Sequence, residues 1–319
     1  MNNPLMMPEL PFSVFLFNFH GNTPIRLPPY PGSAWRGAFG HALKRTVCVV
    51  RNTPCAECLL KSSCAYSYLF ETPPPANSEK MRKYTSAPHP FVLQMPLAEQ
   101  RQDTRYPLRL VVFGHGQRFF PYLVHALKTA GDDGLGGHRQ VLQLETVEQL
   151  FPALAPKPVY RGGKLDFLNP PAMPAIPPMP GRIRLSIHTP LRIKQDRKNV
   201  GGAHFSFAPF FGNLLRRISM LTYFHTDTPL ATDFASLMHR AGTVEFVDTK
   251  LRWHDWTRYS SRQQTEMQLG GVLGSLELDP EGLEDFWPYL WLGQWVHAGK
   301  ATSMGLGHYS IEAASLPTA

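Results

Sequence analysis

Two periodicities alternate along the chain. Pro11 to Phe19 (PFSVFLFNF) is a β-type apolar run that ends at His20-Gly21, and a turn carrying Pro24, Pro28, Pro29 and Pro31 follows it. Trp35, Phe39, Leu43 and Val47 then recur at helical spacing and predict a helix from about residue 35 to 47 with those side chains facing a core. Pro90–Met95 and Leu108–Phe113 read as strands. Arg118–Ala130 reads as a second amphipathic helix through Phe119, Leu123, Ala126 and Leu127, and Gln140–Leu144 as a closing strand. The order strand, helix, strand, strand, helix, strand predicts a ferredoxin-like (RRM-like) unit.

The second half repeats the order. Ile183–Ile193 predicts a strand, Phe205–Leu221 a helix (Phe210, Leu214, Ile218, Leu221), Val244–Trp253 and Val272–Leu278 strands, Leu283–His297 a helix and His308–Ala313 a last strand. Between the second helix and the last strand of each half stands the same triplet, Gly134-Leu135-Gly136 and Gly305-Leu306-Gly307, which suggests a duplication. Six of the fourteen residues from Leu168 to Gly181 are proline. Proline removes backbone donors and fixes φ, so this stretch excludes helix and central strand. The expected fold is α+β: two tandem ferredoxin-like domains, 1–168 and 182–319, joined by a Pro-rich linker at 169–181, with a Cys-rich insertion in the first.

Composition agrees with a folded chain that meets a polyanion. Of 319 residues, 43% are hydrophobic and 12% aromatic, enough for two cores, and the formal net charge is +8. Lys and Arg set against phosphates release condensed counterions, so this balance favours nucleic acid. No apolar stretch reaches the length that crosses a bilayer, and the opening MNNPLMMPEL has no basic leader before its apolar run. The expectation is a cytoplasmic protein without a membrane partner, its four cysteines in a reducing compartment.

The most informative stretch is His297-Ala-Gly-Lys-Ala-Thr-Ser-Met-Gly-Leu-Gly-His308-Tyr309. Gly299, Gly305 and Gly307 lack a Cβ that would keep backbone N–H groups from a phosphate, while Lys300, Thr302 and Ser303 add a charge and two hydroxyls. A strand follows the loop, which excludes a nucleotide-binding P-loop. With the aromatic helix FWPYLWLGQWV before it, this loop resembles the signature of the RAMP proteins, and more closely the CRISPR precursor-RNA processing endoribonucleases. Trp35-Arg-Gly-Ala-Phe-Gly-His41 with the cysteines and YLFETPPP resembles that family's first helix and insertion. PLRIKQ at 190–195 resembles the start of its second domain, and Trp253 to Leu278 its central hairpin. One departure is His297, which stands where the family often has a glycine.

The resemblance implies metal-independent cleavage of CRISPR repeat RNA: a ribose 2′-OH attacks the adjacent phosphorus, leaving a 2′,3′-cyclic phosphate and a 5′-hydroxyl, with no catalytic cofactor. Such chemistry needs a base, an acid and positive charge at the phosphorane, which His and Lys or Arg supply. His41 is the first candidate, because helical spacing sets it with Gly37, Lys44 and Arg45 opposite the Trp35/Phe39/Leu43 stripe. Tyr30 and Lys44 are candidate partners by position, and His20 is the alternative histidine. Candidate RNA-binding residues are Arg36, Arg45, Arg192, Lys194, Arg197, Lys198, Arg216, Arg258 and Arg262, together with the loop residues Gly299, Lys300, Thr302, Ser303, Gly305 and Gly307. The competing reading is a non-catalytic crRNA-binding subunit of an interference complex, with other effector subunits as partners; a monomer and a homodimer are both left open.

All four cysteines, Cys48, Cys55, Cys58 and Cys64, fall within seventeen residues as C-x6-C-x2-C-x5-C. The central Cys-x-x-Cys is half of a zinc knuckle, and four thiolates predict a structural Zn site ahead of an iron–sulfur cluster. Packed free thiols and disulfides are the alternatives.

Overall fold

The computed structural model describes residues 7–74, 78, 87–97, 103–150, 155–195, 197–260 and 265–314. Contacts divide the chain into two units: Leu10–Pro174 with Met220–Pro229, and Ala175–Ser219 with Leu230–Ala319 and Met1–Glu9.

In the N-terminal unit, β1 (Phe12–His20) is followed by α1 (Gly32–Val47), β2 (Phe91–Gln94), β3 (Arg105–Phe113), α2 (Phe120–Asp132) and β4 (Gln143–Leu150), then a hairpin of β5 (Lys157–Arg161) and β6 (Lys164–Leu165). The sheet order is β2-β3-β1-β4-β5-β6 with every pair antiparallel. The first four strands therefore have the 2-3-1-4 order of a ferredoxin-like fold. Alternation along β1 sends Phe15, Phe17 and Phe19 inward, where they meet Trp35, Phe39 and Leu43 of α1 and Leu123, Ala126 and Leu127 of α2. Each fully buried aromatic of this set contributes ~2–3 kcal/mol by leaving water. Trp35 packs 4.8 Å from the ring of Phe19 and 5.7 Å from that of Tyr106.

The second unit contains β7 (Ile183–Leu191), a short hairpin of β8 (Lys194–Gln195) and β9 (Lys198–Asn199), α3 (Phe207–His225), whose last residues from Met220 belong to the N-terminal unit, and α4 (Phe234–Ala241). After them come β10 (Asp248–His254), a hairpin of β11 (Thr257–Ser260) and β12 (Thr265–Gln268), β13 (Gly271–Leu278), α5 (Trp287–Val296) and β14 (Tyr309–Ala313). Its four-stranded sheet runs β10-β13-β7-β14, the same 2-3-1-4 order, again antiparallel. Tyr309 enters the core beside Gly293, where a Cβ would overlap its hydroxyl, and that hydroxyl donates to the Leu290 carbonyl at 2.7 Å.

The expected tandem of ferredoxin-like folds is what the chain adopts. Pieces outside that expectation include the β5–β6, β8–β9 and β11–β12 hairpins, α4, and a π-helical segment at Ser67–Glu71. Asp233 starts α4 by accepting the Ser236 N–H at 2.9 Å, a cap with a local cause that the apolar pattern did not reveal.

Candidate functional site

Helix α1 segregates as its periodicity predicts. Trp35, Phe39, Ala42 and Leu43 are buried, whereas Gly37, His41 and Arg45 are exposed and Lys44 is half-buried. His41 and Lys44 are one turn apart on the same helix. The Lys44 ammonium lies 5.5 Å from the ring centroid of Tyr66, which stacks on Phe70 at 5.5 Å with the planes 3° apart. Phe70 approaches α1 at Gly40, where an added Cβ would stand 2.9 Å from the ring. Arg36 lies 5.2 Å from the same Phe70 and bonds His89 Nε2 at 2.8 Å. A guanidinium only donates, so Nε2 is the acceptor and the Nδ1–H of a neutral His89 donates to Thr72 Oγ1 at 2.9 Å. Arg36 and Lys44 thus bracket a pair of stacked rings, with each cation held over an aromatic face.

The other candidates of this unit are spread out. Tyr30 is half-buried just ahead of α1, and about 14 Å of helical rise separates the helix start from His41. His20 closes β1, in register with Arg105 on β3 and Gln143 on β4. Arg45 pairs with Asp133, both largely exposed. A further dyad joins Tyr68 to His225: His225 Nε2 donates to the Pro88 carbonyl at 2.8 Å, so its Nδ1 accepts the Tyr68 hydroxyl at 2.9 Å. Burial pushes the Tyr68 phenol up to about 12, against the opposing pull of Arg118, whose guanidinium lies 4.8 Å from the ring. Nothing in the local sequence pairs Tyr68 with a histidine 157 positions away.

In the second unit the glycine loop is a closed knot. Gly299, Gly305 and Gly307 have φ of +86°, +85° and +72°, and a Cβ on Gly307 would overlap the Ala298 carbonyl. Their amides are engaged internally: Gly299 N–H donates to Asn213 Oδ1 at 2.7 Å, Gly305 N–H to Thr302 O at 2.9 Å and Gly307 N–H to Pro190 O at 3.2 Å. These bonds occupy the three glycine amides within the protein, so a phosphate at this loop would meet its exposed groups instead. The glycines are here for backbone conformation, and Thr302 and Ser303 are buried while Lys300 is exposed.

His297 is fully buried with φ +60°, a conformation that glycine adopts without strain. Its Nδ1–H donates to the Leu306 carbonyl at 3.2 Å, and its ring stacks on His308 at 4.9 Å. Burial first, then His308 and Arg217, holds this imidazole well below the ordinary histidine range, so it is neutral. Arg217 is itself pushed down to about 9 by burial, stays charged at pH 7, and donates through Nε to the Val296 carbonyl at 2.8 Å.

Of the proposed basic contacts here, Lys194, Arg197 and Lys198 stand exposed on the β8–β9 hairpin, and Arg216 is exposed on α3. Arg192 instead donates to the Gln268 carbonyl at the base of the β11–β12 hairpin. Arg258 lies in β11, and Arg262 falls outside the described residues.

Cys48, Cys55, Cys58 and Cys64 are half-buried free thiols. Cys48, Cys58 and Cys64 line a cavity of about 240 Å³ with Val47, Leu60 and Tyr122. Burial raises the Cys55 thiol, opposed by Lys44. Among the described residues no three or more His, Cys, Asp or Glu side chains group to hold a metal ion. The expected zinc site is therefore not supported by these side-chain positions.

Tandem ferredoxin-like units, with a histidine and a lysine on the first helix and a glycine knot before the last strand, are the arrangement that the resemblance to RAMP proteins implies. The comparisons with known proteins agree. Residues 185–309 match the family of CRISPR-associated endoribonuclease Cas6, and residues 10–172 match the AF_1859_N N-terminal domain. An uncharacterized protein of Archaeoglobus fulgidus is 22% identical over 289 residues, covering 89% of this chain and 92% of its own. Thermus thermophilus Cas6 is similar at 18% identity over 95% of this chain and 99% of that chain, with a TM-score of 0.54. A Cas6 product complex gives the same identity and coverage with a TM-score of 0.57. A partial Cas6-RT-Cas1–Cas2 complex is 16% identical over 98% of this chain and 48% of that one, TM-score 0.58. The chain thus pairs an AF_1859_N N-terminal domain with a second domain that matches the CRISPR-associated endoribonuclease Cas6 family.

Proposed function

We propose that this protein cuts CRISPR repeat RNA without a metal ion, by attack of a ribose 2′-OH on the adjacent phosphorus. His41 takes the 2′-OH proton, and Lys44, one turn on, neutralises the charge that develops on the phosphorane oxygens. As the P–O5′ bond breaks, the leaving oxygen takes a proton from water, and the proton held by His41 returns to solvent, giving a 5′-hydroxyl and a 2′,3′-cyclic phosphate. Tyr30 and His20 are secondary candidates, standing away from the His41–Lys44 pair or on another element. Lys194, Arg197, Lys198, Arg216 and Lys300 are exposed cations suited to the RNA backbone. The observation that carries this reading is an exposed histidine beside a ring-held lysine on the first helix of a chain whose second domain matches the Cas6 family. The same reading extends to membership of a larger assembly, as in the Cas6-RT-Cas1–Cas2 complex.

The test is single-turnover cleavage of cognate repeat RNA with end-group analysis of both fragments. Wild type yields cyclic phosphate and 5′-hydroxyl ends, and His41→Ala slows cleavage by ~10²–10⁴-fold while binding RNA as tightly as wild type. An unchanged rate in His41→Ala removes His41, and no cleavage by wild type favours the crRNA-binding subunit.

A further inference from the structure

The β5–β6 hairpin has no role in the chemistry above, yet two residues after it stands the most exposed aromatic ring among the described residues. Phe167 is 92% exposed. A lone exposed apolar residue is ordinary on a protein surface; what distinguishes this one is how it is held. On its N-terminal side Asp166 N–H donates to Val159 O at 3.0 Å. On its C-terminal side Leu168 packs against the core, and Asn169 is bonded through its backbone N–H to Gln149 Oε1 at 3.0 Å. The Asn169 carbonyl accepts from Gln149 at 3.0 Å and from Gln117 at 2.7 Å, and its side chain accepts from Lys157 at 3.2 Å. With the chain pinned on both sides and Leu168 in the inward position, the ring has no local route into the core.

Cations stand beside it. Arg161 and Lys164 face each other across the Gly162-Gly163 turn and are both exposed, and Lys164 lies within about 11 Å of chain from Phe167. Asp166 is the one acid among residues 157–169, against Lys157, Arg161 and Lys164. A rigid aromatic platform with two free-standing cations is the pairing that single-stranded nucleic acid recognises, a base on the ring and phosphates on the charges. We infer that the β5–β6 hairpin with Phe167 is a second RNA contact, which takes an unpaired stretch of the substrate or product strand. This rests on the reading that the chain handles RNA, but not on which residues cut it.

The experiment measures binding of full-length protein to a twelve-nucleotide oligo(U) over a range of salt, beside single-turnover cleavage of repeat RNA. Phe167→Ala weakens oligo(U) binding about tenfold, as expected for one lost stacked base, and Phe167→Trp restores it. Arg161→Ala/Lys164→Ala lowers the slope of log K against log[salt] by about 1.4, the value for two lost single-strand phosphate contacts. Both variants cleave repeat RNA at the wild-type rate when protein is saturating. Oligo(U) affinity equal to wild type at every salt overturns the inference. So does unchanged RNA binding with loss of a protein subunit, which would make the hairpin a protein contact. Failure of wild type to cleave repeat RNA would sink the proposed function and leave the oligo(U) result to decide this one.

Discussion

At the scale of single residues, His297 shows why a departure from a family pattern has to be read in three dimensions. The position has positive φ, which suits the glycine that the family resemblance leads one to expect, and here a histidine takes it at a backbone cost of about 1–3 kcal/mol. The imidazole fills the buried space against His308 instead. Because the folded state holds this ring neutral while the unfolded chain protonates it near the ordinary histidine range, stability is lost as pH falls below that range. Urea unfolding between pH 7 and pH 5 should therefore show an acid loss of up to about 1.4 kcal/mol per pH unit from this group, and His297→Gly should flatten that limb. A slope unchanged by the substitution would show that the ring protonates in the folded state. His41 needed only helical spacing to be found, since one face of α1 was visibly apolar. Tyr66, Phe70 and His89 were missed because their meeting with Lys44 and Arg36 depends on how a separate segment packs.

At the scale of elements, the π-helical segment and α1 form one piece. Gly40 is the contact that admits Phe70, so Gly40→Ala should push the ring away, at about 1–3 kcal/mol of overpacking, and shift the Tyr66 ring from Lys44. The expected signature is a lowered denaturation midpoint together with slower cleavage at unchanged RNA affinity; normal cleavage in a destabilised variant would separate the segment from the site. The two Gly-Leu-Gly triplets, noted first as a similarity of letters, share a conformation: both glycines of each have φ between +68° and +85°, and Leu135 and Leu306 are both buried. Regular elements were legible because each has one apolar face. The β5–β6 hairpin was not, because it is short, mostly exposed and adjoins the proline-rich stretch, although Gly162-Gly163 was a usable turn signal.

At the scale of the molecule, the sheet orders follow from the alternation of elements read along the chain, and nothing in the spacing of four cysteines said where their side chains would point. Excess EDTA tests the cysteines directly: a fall of several degrees in the thermal midpoint would show a bound metal there, and an unchanged midpoint would leave them as free thiols. Among the described residues no helix is long and apolar enough to cross a membrane. The proline-rich stretch looks like a natural seam, but residues 220–229 lie beyond it and fold with the N-terminal unit, bringing the imidazole that Tyr68 and the Pro88 carbonyl both use. Gene fusion or shuffling at that seam would therefore inherit a half lacking its own last piece. An exchange that splits the chain there parts His225 from both of its partners unless 220–229 travels with the first half.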